Sequence, residues 1–215
     1  MIPPKYDLRP AARGDILPLF EEHHGYKSLG KALTYAFAVW EDGRPVAAFV
    51  WQPPAPGAAK SLCACAPQGV LALSRMVAVP RAERALRHIS TPLRRQVRTL
   101  IDRGRWPVLV TYSDASLGHT GHVYKCSGWQ VDGTRKAPYY EDATGARRST
   151  YNGGARSVEG LHKAGTTTLT RWVHRACALD ETAEHMTRAG WERVRLPGVW
   201  RSGSPKHRYV KASQS

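Results

Sequence analysis

Apolar and β-forming positions alternate with a period of two along Thr34–Glu41 (TYAFAVWE) and again along Arg44–Gln52 (RPVAAFVWQ). Asp42-Gly43 lies between the two runs, and such a dipeptide flanked by β-formers predicts a tight-turned hairpin. Ahead of it, residues 6–13 read as a short strand passing into a helix that runs to about Glu22, with Asp15 near its start. Pro53-Pro54-Ala55-Pro56-Gly57 stops the second strand and opens a loop expected to reach about Gly69. Val70–Val79 (VLALSRMVAV) is the most apolar strand candidate, interrupted only by Ser74 and Arg75 and closed by Pro80. An arginine in a run that otherwise reads as buried is costly unless it has a partner or a task.

The period then lengthens towards that of a helix. Leu86, Ile89, Leu93, Val97, Leu100 and Ile101 line one face, and Arg84, Arg87, Arg94, Arg95 and Arg98 the other. Thr91-Pro92 reads as an N-cap and first-turn pair, and Gly104 as the stop. Pro107–Tyr112 (PVLVTY) predicts a short buried strand ending at Ser113-Asp114. His122–Trp129 and His185–Trp191 each read as a helix closed by a left-handed glycine (Gly128, Gly190) and followed by tryptophan and a strand. Asp180, with Glu181 and Glu184, makes a good start for the second of these helices. Between them, Gly133–Gly165 is poor in aliphatic residues and reads as a long irregular segment, either a functional lid or disordered. The order predicts an α/β fold with one mixed central sheet flanked by helices and a basic C-terminal extension. Residues 1–133 are expected to form the core, and 134–215 a basic insertion and extension completing the same domain.

Composition narrows the class. The 215 residues are 42% hydrophobic and 23% charged, ordinary for a globular chain. No apolar run reaches the roughly 18 residues of a membrane span, and Met1–Lys5 leads into no apolar stretch, so a cytoplasmic location without membrane partners is expected. The four cysteines, Cys63, Cys65, Cys126 and Cys177, form no disulfide framework. A Cys-x-Cys pair with His23 and His24 could hold a metal, but the spacing is not that of a structural zinc site; ordinary thiols and no metal are expected. Lys and Arg number 32 against 17 Asp and Glu, a net charge of +15. That balance favours a polyanionic partner over a merely solvated basic surface, and the preference for arginine points to phosphate. Double-stranded DNA is the expected partner.

The element order, with Val123-Tyr124-Lys125-Cys126-Ser127-Gly128-Trp129 after the fifth strand, resembles the GNAT acyltransferase superfamily, whose members often carry a Phe-Tyr-Glu-Lys-x-Gly-Phe-like stretch there. A closer resemblance spans about residues 23 to 210. His23-His24-Gly25-Tyr26, Leu73-Ser74-Arg75, Tyr112-Ser113-Asp114, Gly118-His119-Thr120-Gly121-His122-Val123-Tyr124, Gly128-Trp129 and Pro205-Lys206-His207-Arg208-Tyr209-Val210 are similar to blocks of the Mom family of phage DNA-modification proteins. That resemblance implies a GNAT-like enzyme that converts adenine in DNA to an N6-carbamoylmethyl form and protects the DNA from restriction. The chain departs from acetyl-CoA-dependent GNAT enzymes after its fourth strand. Pro80-Arg81-Ala82-Glu83-Arg84-Ala85 contains no glycine where a Gly-rich turn would cradle a pyrophosphate. Arg81 and Arg84 could bind phosphate there, but acetyl-CoA is put in doubt and the activated donor stays unidentified.

Each candidate has a competing reading. Asp114 is either the acid/base group that takes a proton from adenine N6 or a turn cap. Arg75 pairs with Asp114 or holds an anionic donor; a structural salt bridge is the alternative. Tyr124 is a general acid if the GNAT parallel holds, and otherwise a packed aromatic. His119, His122 and His24 could relay protons, and Ser74 reads as a strand residue facing the site rather than a nucleophile. DNA contacts are expected from Arg94, Arg95 and Arg98, from Arg147, Arg148, Arg156, Lys163 and Arg171, and from Lys206 and Arg208. Tyr139, Tyr140, Tyr151 and Trp172 supply faces for base stacking, with core packing equally open for Trp172. An ordinary N-acyltransferase acting on a small amine or protein, and a non-catalytic DNA-binding protein, are the alternative functions.

Overall fold

The computed structural model describes residues 7–26, 29, 35–79, 89–148, 151–152, 155–156, 158–178, 180–199 and 205–211. Strand β1 (Asp7–Pro10) leads into helix α1 (Arg13–His23), where the Asp15 carboxylate accepts the Ala12 N–H at 2.9 Å and caps the first turn. Strands β2 (Tyr35–Glu41) and β3 (Arg44–Gln52) form the expected hairpin. Asp42 and Gly43 both take positive φ (49° and 76°), as the turn type matched to strand twist requires. The predicted loop after Gln52 is instead a short helix, α2 (Pro56–Leu62), and a single 3-10 turn (Pro67–Gly69). Pro56 sits at the first helical position, where its missing N–H costs nothing, so the prolines that read as a loop signal begin a helix.

Strand β4 (Val70–Ala78) is followed by α3 (Ser90–Asp102), which starts one residue before the expected Thr91 cap, then β5 (Val108–Asp114). The five-residue helix α4 (His122–Cys126) ends ahead of Gly128 at φ 85°. The segment expected to be irregular is regular. It contains β6 (Gln130–Glu141), β7 (Arg147–Arg148), the small hairpin of β8 (Tyr151–Asn152) and β9 (Ala155–Arg156), and the start of β10 (His162–Arg175). Helix α5 (Thr182–Arg188) starts after Glu181 rather than at Asp180, with no side-chain cap, and precedes Gly190 at φ 76°. Strands β11 (Trp191–Val199) and β12 (Pro205–Lys211) pair antiparallel.

Among the described residues the main sheet has eight strands in the order β1-β2-β3-β4-β5-β10-β6-β7, so β10 inserts between β5 and β6. The chain divides into two compact units, one of Met1–Gln52, Ala72–Gln96 and Val110–His174, the other of Pro53–Leu71, Val97–Leu109 and Arg175–Ser215. In the first, Ile16, Leu19 and Phe20 of α1 pack on Ala36, Ala38, Ala48, Val50 and Val77 of β2–β4. Burying such side chains contributes about 1.5–3 kcal/mol for each large one. Beside them Trp51 donates its indole N–H to Gln96 at 2.8 Å, satisfying a polar atom that burial would otherwise strand. In the second unit Gly69 lies against Met186, Thr182 and Pro107, and the Trp191 indole donates to the Arg103 carbonyl at 3.0 Å.

Candidate active site

Asp114 ends β5, and the chain turns at once into a 3-10 turn (Ala115–Leu117) closed by Gly118 at φ 72°. Its residue is only 5% exposed, so the carboxylate must find its donors within the protein. Oδ1 accepts from the Ser116 backbone N–H (3.0 Å), the Ser116 hydroxyl (2.5 Å) and the Thr167 hydroxyl (2.5 Å). Oδ2 faces the Arg147 guanidinium at 3.0 Å, and Arg147 also donates to Ser116 Oγ at 2.8 Å. Burial alone would raise the Asp114 pKa. The Ser116 and Thr167 hydrogen bonds and the Arg147 charge outweigh it and hold the carboxyl below its ordinary value.

Around this carboxylate lie further polar groups. The turn after α1 runs close to Leu117, where a β-carbon on Gly25 would stand 3.2 Å from its side chain. That turn brings Tyr26 to the site. Burial and the Asp114 charge raise the Tyr26 phenol pKa, while Arg75 and Arg147 oppose them. The Arg75 guanidinium lies 5.1 Å from the Tyr26 ring centre and donates to the Ser74 carbonyl at 2.8 Å. Among the described residues its buried Nε has no hydrogen-bond partner, and burial lowers its pKa. His119 donates its backbone N–H to the Asp114 carbonyl at 3.2 Å. Burial lowers its imidazole pKa against the opposing pull of Asp114.

A family model of the Mom protein family matches residues 6–211. The chain belongs to the Mom family. Its structure is similar to that of an N-acetyltransferase from Staphylococcus aureus Mu50, at 15% identity and a TM-score of 0.51 over 80% of this chain and 99% of that one. It is similar also to the ribosomal-protein-S18-alanine N-acetyltransferase from Escherichia coli, at 13% identity and a TM-score of 0.51 over 81% and 96%. At these identities the likeness shows the fold, which is that of the GNAT enzymes. No curated protein sequence matches the chain.

Within this Mom-family chain the expected site residues divide. Asp114, His119 and Arg75 gather as described. The expected Arg75–Asp114 pair does not form, because Arg147 occupies the carboxylate. His24 reaches the cluster through Tyr26: its Nδ1 accepts the Tyr26 N–H at 3.1 Å and the two rings lie 5.8 Å apart. Ser74 sits at the β3–β4 bulge and donates its hydroxyl to the Val50 carbonyl at 3.1 Å, which commits that proton to the sheet. Tyr124 is buried between Trp129 and Trp172, and burial raises its pKa. His122 contacts Cys126 at 3.4 Å on the exposed face of α4.

Several DNA-binding expectations change. Arg147 belongs to Asp114, Arg148 pairs with Asp142 at 2.6 Å and Arg171 with Asp132 at 2.6 Å. Trp172 is 7% exposed and donates to the Ser113 hydroxyl at 2.9 Å, so it packs in the core and offers no stacking face. Arg94, Arg95 and Arg98 lie on the exposed face of α3, and Lys163 is exposed on β10. The Arg156, Lys206 and Arg208 backbones lie in β9 and β12, and their side chains fall outside the described part, as do Arg81 and Arg84 entirely. Sequence reasoning missed Ser116, Thr167, Tyr26 and the role of Arg147. Tyr26 had a signal in the His-His-Gly-Tyr block. Arg147 and Thr167 had none, standing 33 and 53 residues from Asp114 along the chain.

Among the described residues no group of three or more His, Cys, Asp or Glu side chains is arranged to hold a metal ion. An acyl-CoA is the group the fold implies. Residues 80–85, which the sequence comparison sets against the glycine-rich turn, contain no glycine and lie outside the described residues.

Proposed function

We propose that this protein modifies the exocyclic N6 amine of adenine in double-stranded DNA, as a Mom-type carbamoylmethylating enzyme that protects DNA from restriction. The observation that carries the reading is the buried Asp114 carboxylate with Tyr26 and His119 beside it and Arg75 against Tyr26, in a chain of the Mom family. Adenine N6 is a weak nucleophile because its lone pair is delocalised into the ring, so bond formation needs help with the proton. Asp114, ionised across the neutral range, accepts the amine N–H and stabilises the positive charge developing on nitrogen. The lowered pKa of His119 leaves its imidazole neutral and able to take that proton onward. Arg75, with its unpartnered Nε, suits an anionic group on the donor. Tyr124 holds its proton tightly enough to give it up only to a strongly basic leaving group.

A carboxylate this enclosed cannot meet a base inside a stacked duplex. The adenine must leave the stack to reach it. Nucleoside mass spectrometry on DNA from bacteria expressing the native chain or Asp114→Ala tests the reading. A new adenosine species is expected only with the native chain. Unchanged nucleosides in both samples would overturn it in favour of an N-acyltransferase acting elsewhere.

A further inference from the structure

Strand alternation sets which side chains share the face of the sheet that carries Asp114. Tyr112 and Asp114 are two apart on β5 and so lie on one face. The register Thr167↔Ala137, Leu169↔Arg135 and Gly165↔Tyr139 puts Arg135 and Tyr139 on the same face as Thr167, whose hydroxyl bonds Asp114. On this face the Arg135 guanidinium carbon lies 5.6 Å from the centre of the Tyr112 ring. Arg135 is exposed and Tyr112 half-buried. Three arginines of the neighbouring strands are neutralised: Arg147 by Asp114, Arg148 by Asp142 and Arg171 by Asp132. Among the described residues Arg135 has no carboxylate partner, and a phenol face holds it in place without neutralising it.

We propose that Arg135 and Tyr112 form a nucleotide-binding subsite beside Asp114, in which Arg135 takes the phosphodiester next to the target adenine and the Tyr112 ring supports the adjoining sugar or base. This rests on the DNA-modification reading and says where the strand lies: along β5 and β6, not along the arginine face of α3. A guanidinium over an aromatic face at this distance keeps its N–H groups open, so donors can still reach a phosphate. The contact with the ring also limits the side-chain freedom that Arg135 would lose on binding. Extrusion of a base requires the flanking backbone to be gripped, and Arg135 is a cation with no carboxylate partner among the described residues, on the face where the base would arrive.

The test is binding of a fluorescein-labelled 20-base-pair duplex to the full chain, followed by anisotropy from low to high KCl, with parallel nucleoside mass spectrometry. Arg135→Glu is expected to weaken binding roughly tenfold or more and to lower the salt slope by about one phosphate contact. Tyr112→Phe should keep affinity and Tyr112→Leu reduce it, since the ring and not the hydroxyl supports the strand. Arg44→Glu, the same charge change on the Asp42-Gly43 hairpin, should leave binding near native. If Arg135→Glu binds and modifies DNA as the native chain does while Arg98→Glu loses both, the subsite is overturned and the modification reading stands. A native chain that neither binds the duplex nor alters adenosine overturns both.

Discussion

Asp114 concentrates the residue-scale physics. Its carboxyl collects four donors, two from Ser116 and one each from Thr167 and Arg147, and its pKa is depressed in the fold. A carboxyl with a folded-state pKa below its unfolded value of about 3.9 contributes stability that is fully present above that value and is lost as pH falls through the folded one. In urea unfolding, the native chain should therefore exceed Asp114→Asn in stability at pH 7, and the gap should close as pH falls below about 4. A gap independent of pH would show that the carboxylate's charge is not what its neighbours stabilise. Arg147 carries the other half of the pair. Its side chain is 9% exposed, so Arg147→Met leaves a buried carboxylate uncompensated and should cost on the order of 3 kcal/mol in the same assay.

At the scale of elements, the short helix α4 shows how neighbouring pieces constrain one another. Gly121 stands at its N-cap with φ 75°, and a β-carbon there would fall 2.1 Å from Trp172 Cζ2. The close approach lets Trp172 of β10 reach Ser113, the residue before Asp114, so the helix start and the site share one support. Gly121→Ala combines left-handed strain with a steric clash and should destabilise by about 3 kcal/mol or more, with a changed tryptophan fluorescence spectrum at low denaturant. The long pair of β6 and β10 teaches a different point. Its strands carry threonine, arginine, lysine and tyrosine on both faces, as in Thr166-Thr167-Thr168 opposite Lys136-Ala137-Pro138. A period of two is invisible when neither face is apolar, which is why the segment read as irregular. Polar residues with good β-propensity still pair when a neighbouring strand supplies hydrogen-bond partners.

At the scale of the whole molecule, the net charge of +15 bears on affinity rather than fold. Binding of a DNA duplex should fall linearly in log affinity with log salt, and a footprint of about six phosphates would lose roughly a thousandfold between about 50 and 200 mM salt. A salt-independent affinity in the anisotropy titration would mean that the positive charge serves another end. No described helix is long and apolar enough to cross a membrane. The ion pairs of Arg147, Arg148 and Arg171 show that a count of basic residues overstates the cations on offer to DNA, because three of them are met by acids of the same chain.

Local chemistry was legible without the fold. The hairpin at Asp42-Gly43, the glycine-closed helices before Trp129 and Trp191, the amphipathic α3 and the strand ending at Asp114 follow from period, turn residues and backbone preference, which act between near neighbours. The family was legible too, in dispersed blocks such as Leu73-Ser74-Arg75 and Tyr112-Ser113-Asp114, and its model spans residues 6–211. The distant partners of Asp114 were not. Thr167 and Arg147 reach it only because β10 inserts between β5 and β6 and β7 follows at the edge. That pairing depends on which strand edges meet, a long-range choice that no local pattern in a polar segment records; the two Ser116 donors come from the local turn, and the Thr167 and Arg147 contributions were decided by the tertiary structure.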